Sequence, residues 1–95
     1  MTRYISRLTF TEKGTADIRD STHRARAFEE LAAKSGATVE GQYWTVGSHD
    51  GILVLSANKE GKILHLLSEL ASRGYVRTKS MRAFNDAEFE SVLKA

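Results

Sequence analysis

Apolar and polar positions alternate with two different periods along this chain, and the places where the period changes predict its elements. Residues 3–10, RYISRLTF, are rich in β-branched, aromatic and apolar types and read as a strand. TEKGTADIRDS follows, with Gly14 as a break and one irregular helical turn. Ser21 or Thr22 suits an N-cap. Beyond it, Ala25, Phe28, Leu31 and Ala32 recur at helical spacing, and Gly36 marks the stop. Residues 38–47 and 50–57 read as a second and a third strand, joined by a tight hairpin over Gly47 to Asp50. Asn58 offers the next N-cap. Ile63, Leu66, Leu67, Leu70 and Ala71 then form the cleanest amphipathic helix, and Gly74 ends it. Residues 75–84 read as a fourth strand. A short terminal helix follows, with Asn85 and Glu88 at capping-box spacing and Phe84 and Phe89 at staple spacing. Its apolar stripe is Phe89, Val92 and Leu93.

The order β-α-β-β-α-β plus a terminal helix predicts an α+β, ferredoxin-like domain over residues 1–95: a four-stranded antiparallel sheet with both main helices on one face. Successive strand residues point to opposite faces. With Ser48 and His49 as the turn, Tyr43, Thr45, Ile52 and Val54 share one face, and Gln42, Trp44, Leu53 and Leu55 share the other. The third strand is thus apolar on both sides, whereas the helices cover only one. Leaving the second aliphatic pair in water forgoes about 1.5–3 kcal/mol per side chain, and strands apolar on both faces usually have both buried. The expected cover is a second chain, giving two sheets packed face to face in a dimeric α/β barrel. The alternative is the terminal helix folding over the open face within one chain. Packed sheets splay at their ends, so a sheet–sheet pocket would open beside Ser48, His49 and Asp50.

Composition narrows the function classes. The 95 residues fit one domain, and 14 basic against 12 acidic residues give a net charge of +2. The basic residues are scattered, unlike a nucleic-acid stripe, and the third strand lacks the stacking aromatics of an RNA-recognition motif. No nucleic-acid or membrane partner is expected. Cysteine is absent, which excludes disulfides and thiolate chemistry. There is no apolar leader or spanning stretch, and a cytoplasmic setting is expected. No P-loop, G-x-G-x-x-G, H-E-x-x-H or nucleophile elbow occurs. No cofactor and no metal site is called for.

What remains is a set of candidate ligand-binding residues: Tyr43, Trp44, His49, Asp50 and Arg77. Asp50 has a plain role as a turn cap and a functional one as an acceptor or base at a pocket mouth, which makes it and His49 the catalytic candidates. Histidine ordinarily titrates near neutrality and can shuttle protons, but a lone hairpin histidine is ordinarily solvated. Tyr43 and Trp44 should pack one to each face of the sheet. Arg77 shares a face with Lys79 and Met81. Pairing with Asp or Glu is the plain expectation for it and for Arg7, and bidentate capture of an acidic ligand is the functional one.

FTEKG at 10–14, RARAFEELA at 24–32, YWTVGSHD at 43–50 and VRTKSMRAF at 76–84 resemble, in order, the GYD-domain family. Gly47 and Asp50 match its hairpin signature, and His49 stands where its tyrosine usually does. The resemblance implies a dimeric ferredoxin-like α/β-barrel type and no established activity. Residues 45–80, with Gly-x-x-Asp and GYVRT, more weakly resemble the amino-acid-sensing domain of leucine/asparagine-responsive regulators. Three functions follow as expectations: a homo-oligomeric module binding or sensing a small organic ligand, a small dimeric-barrel enzyme of the cofactor-independent oxygenase or isomerase type, and an assembly subunit with no pocket.

Overall fold

A computed structural model describes all residues from Met1 to Ala95. The strands are β1 (Thr2–Phe10), β2 (Ala37–Trp44), β3 (Gly51–Ala57) and β4 (Val76–Ala83). The helices are α1 (Glu12–Ala16), α2 (Ser21–Lys34), α3 (Glu60–Ser72) and α4 (Asp86–Lys94), with a single 3-10 turn at Ile18–Asp20. The sheet order is β2-β3-β1-β4, and every neighbouring pair is antiparallel. This is the ferredoxin-like arrangement that the order of elements predicts.

Register assigns the faces. Leu53 pairs with Ser6 and Gln42, and Leu55 pairs with Tyr4 and Val39. Leu53 and Leu55 are fully buried and join Phe28 and Ala32 of α2 and Ile63, Leu66 and Leu67 of α3 in one core. The other face carries Arg3, Ile5 and Arg7 of β1 opposite Ser56, Val54 and Ile52 of β3. Arg77, Lys79 and Met81 of β4 lie opposite Thr9, Arg7 and Ile5 on that same face. A bulge shapes β2. Val39 pairs with Leu55 and Gly41 with Val54, so Glu40 is the extra residue. One additional residue reverses the alternation. It allows Val39 to reach the helical core while Tyr43, four positions on, faces the open side.

Several local expectations need correction. The link from β2 to β3 is a six-residue connection from Thr45 to Asp50 rather than a tight hairpin, because β2 already ends at Trp44. It is closed by Thr45 N donating to Asp50 O at 3.0 Å and Thr45 Oγ1 donating to His49 O at 2.7 Å. Neither Ser21 nor Thr22 caps α2, since the 3-10 turn runs directly into it and Asp20 holds the cap position with no side-chain bond. Asn58 does not cap α3 either; Lys59 occupies that place, extended and uncapped. Gly14 lies inside α1 instead of breaking it. The positive φ of Gly36 and Gly74, 80° and 79°, fits their expected role as helix stops.

The capping box of α4 forms as its spacing predicts: Glu88 N donates to Asn85 Oδ1 and Asn85 N to Glu88 Oε1, both at 2.8 Å. The helix has no buried residue, and Phe89, Val92 and Leu93 stay half or more exposed. Within one chain, α4 therefore does not cover the open sheet face, and Ile52 and Val54 remain partly exposed there.

Candidate functional site

The polar corner at the end of β3 divides its two residues between two jobs. Asp50 holds the loop to β1. Its N–H donates to Leu8 O at 2.8 Å, and its Oδ2 accepts from Phe10 N at 2.8 Å. The carboxylate thus satisfies a strand-end donor that the ladder leaves over. The capping role expected of Asp50 is met across strands rather than within its own turn. His49 is exposed and turns to the open face, where its Nε2 lies 3.1 Å from Arg7 Nη1. A guanidinium can only donate, so Nε2 accepts and the ring proton sits on Nδ1.

Tyr43 and Trp44 separate as the alternation predicts. Tyr43, paired with Ile52, is on the open face and 62% exposed. Trp44 is on the helical side, its Nε1 donating to Ser21 Oγ at 3.2 Å. Arg77 departs from expectation. Neither it nor Arg7 nor Lys79 is among the side chains paired with a carboxylate, although Arg7 and Lys79 are direct cross-strand neighbours. Like charges directly opposite each other cost stability. Arg7 also keeps a buried Nε without an acceptor.

The far end of the same face has the opposite character. Arg3 Nε donates to Glu40 Oε1 at 3.1 Å and Arg3 Nη1 to Glu88 Oε1 at 2.8 Å, drawing the bulge of β2 and the start of α4 together over Ser56. The neighbouring Ser56 hydroxyl, then Arg3, hold the Glu40 carboxyl below its ordinary pKa. The Asn85 backbone N–H and then Arg3 do the same for Glu88. Bonding to the two glutamates, Glu40 foremost, raises Arg3 above its ordinary value. One arginine facing two carboxylates leaves this end net acidic. The open face is therefore graded: His49, Arg7, Arg77 and Lys79 at one end, Ile5, Ile52, Val54 and Met81 in the middle, and Arg3, Glu40 and Glu88 at the other. No single element of the sequence shows this grading, because its members come from five elements and the connecting loop.

The larger of two cavities, about 300 Å³, lies on the helical side of the sheet. Tyr43, Trp44 and Asp50 contribute to its lining, whereas His49 and Arg77 do not. The five ligand-site candidates are thus divided between the two sides of the sheet. Sequence reasoning missed Arg24 and Tyr75 at this cavity; they are distant in the chain and meet only through the topology.

A four-stranded antiparallel sheet with helices on one face and a graded, uncovered second face places this chain in the ferredoxin-like α+β class. The profile of the GYD domain matches residues 4–93, and the chain belongs to the GYD-domain family. It is similar to a Thermus thermophilus protein named "Glutamine synthetase and cystathionine beta-lyase binding protein". The two are 28% identical over 95 residues, covering 99% of this chain and 100% of the relative. Its fold is also similar to that of another crystal structure from Thermus thermophilus, with a TM-score of 0.55, 17% identity, and coverage of 90% of this chain and 95% of that one. No helix is long and apolar enough to cross a membrane.

Proposed function

We propose that this protein is a binding module that works as a homo-oligomer, pairing through its open sheet faces and holding a small acidic organic ligand at the basic end of that interface. The observation that carries the reading is the graded open face. Its aliphatic middle is left partly in water by the single chain, and its basic end has three cations without carboxylate partners. A twofold pairing with strands running in opposite senses lays the basic end of one copy over the acidic end of the other, so the like charges of each copy meet their complement. Tyr43, His49 and Arg77 would then rim a mouth where the sheets splay. The dimeric α/β-barrel form fits this arrangement.

The enzyme reading has less support. The Asp50 carboxylate is engaged by Phe10 N, and His49 faces an arginine rather than a carboxylate. No acid–base pair is assembled at the corner. A second reading, binding of a partner protein, is favoured by the name of the Thermus relative, and the exposed stripe of α4 gives it a physical surface.

A thermal-shift series at fixed protein concentration tests the proposal with small mono- and dicarboxylates against their amides. A ligand that binds only the folded state raises the melting temperature by mass action. The expected result is a concentration-dependent rise with an acid and not its amide, lost in an Arg77→Gln, Lys79→Gln double variant. No rise with any acid, or a rise unaffected in that variant, overturns the ligand assignment. Retention of glutamine synthetase from the same cells by the purified protein, without any small-acid effect, favours the second reading.

A further inference from the structure

The cavity on the helical side of the sheet is separate from the mouth discussed above, and its construction has its own logic. It opens where the start of α2 and the end of α3 pass over the ends of β1 and β3. Its floor includes Gly51, which pairs with Leu8 on one side and Trp44 on the other. A side chain at Gly51 would meet the Tyr43 carbonyl oxygen at 2.9 Å, too close for a real Cβ. Close approach of the β2 backbone therefore requires glycine here. The helix-facing side-chain position is left vacant, between Phe28 and Leu70 on the helices and Trp44 and Leu53 on the sheet.

The polar groups around this space are unevenly committed. Of the two carboxylates, Asp50 is engaged by Phe10 N, and Asp20 sits 3.5 Å from His23. The two guanidiniums, Arg24 and Arg73, have no carboxylate partner. Arg24 lies flat over the Tyr75 ring at 4.2 Å, with Lys13 also 4.3 Å from that ring. Arg24 Nη1 donates to Asp17 O at 2.8 Å, while its buried Nη2 has no hydrogen-bond acceptor. Arg73 is exposed.

We propose that this cavity is a binding site for a small monocarboxylate with an aromatic body, its ring lying against Phe28, Trp44 and Leu53 and its carboxylate drawn to Arg24 and Arg73. The size agrees. A cavity of about 150 Å³ accepts benzene, so the 300 Å³ here accommodates a ring with a short acid arm. Charge-assisted bonds from guanidinium to carboxylate are the strong kind, and they favour an acid over the neutral amide of the same shape. The site depends on neither self-association nor the open sheet face.

Trp44 is the single tryptophan and lines the cavity, so its fluorescence reports occupancy directly. Titration with 3-phenylpropanoate should give a saturable change, with 3-phenylpropanamide binding about tenfold more weakly, the equivalent of one good charge-assisted bond. Arg73→Gln and, separately, Arg24→Gln should each narrow the gap between acid and amide. Ala25→Leu and Leu70→Phe, which fill the space from opposite walls, should abolish saturation while a thermal melt shows a folded protein. No saturable change with the acid, equal affinity for acid and amide, or undiminished binding in both filled variants would overturn the assignment.

Discussion

Replacing Gly14 by alanine sets two well-defined effects against each other. Gly14 is inside α1, where alanine is ordinarily the better residue by about 1 kcal/mol. Yet α1 is packed tightly on the turn before β4. Thr11 N donates to Tyr75 O at 3.0 Å, Thr11 Oγ1 to Gly74 O at 2.5 Å and Lys13 Nζ to Arg73 O at 3.0 Å. A Cβ at Gly14 would overlap the Tyr75 carbonyl oxygen and also press on the Phe10 ring. The oxygen is backbone, already bonded to Thr11, and cannot swing aside. Overpacking of this kind costs about 1–3 kcal/mol and sometimes more. The overlap wins, giving a net loss of about 1–2 kcal/mol, or a drop in melting temperature of about 4–16 °C for a domain of this size. Gly61→Ala is the matched control. Gly61 is also helical, has no positive φ and has nothing within 4 Å of its Cβ position. Alanine there should stabilise by about 0.4–1 kcal/mol. Both variants are melted by circular dichroism at one protein concentration, since association shifts the midpoint. A Gly14→Ala protein as stable as wild type, or more so, would show that the α1 contact is not held as described.

The two corner residues should respond differently to truncation. Asp50→Ala strands the Phe10 N–H and should cost about 1–3 kcal/mol in urea unfolding, whereas exposed His49→Ala should stay within about 0.5 kcal/mol; equal costs would contradict their separate roles. Glu40 and Glu88 have folded pKa values below their unfolded ones, so the unfolded chain binds more protons as the solution is acidified. Their contribution is complete above about pH 4.3, the ordinary glutamate value, and is lost as pH falls through the lower folded values. A Glu40→Gln, Glu88→Gln double variant should therefore lose less stability than wild type between neutral and acid pH, and parallel curves would refute the linkage.

Much of the fold is legible in the sequence because its signals are local and redundant. The period-3.6 stripe from Ile63 to Ala71 and the Asn85–Glu88 box specify helices without reference to anything distant, and both form. The opposed faces of Tyr43 and Trp44 follow from strand alternation alone. What was not legible depends on partners far along the chain. The Glu40 bulge matters only against β3, the cap expected at Asn58 is displaced to Lys59, and Gly14 reads as a break until Tyr75 is known to lie against it. The candidate site divides in the same way. Asp50 is recognisable as a turn residue from its type, but its partner Phe10 is 40 positions away. The cavity under Trp44 arises from a side chain that is missing at Gly51, a feature that no motif encodes.

Self-association through the open face is tested most directly by light scattering on the purified protein, with and without a charge placed among the aliphatics. Wild type at micromolar concentration should have at least twice the 10.6 kDa chain mass. Val54→Glu, at a partly exposed position beside Ile5, should fall to the single-chain mass while keeping its helical and strand spectrum. A wild-type mass of one chain, or a Val54→Glu protein that remains assembled, would contradict pairing through this face.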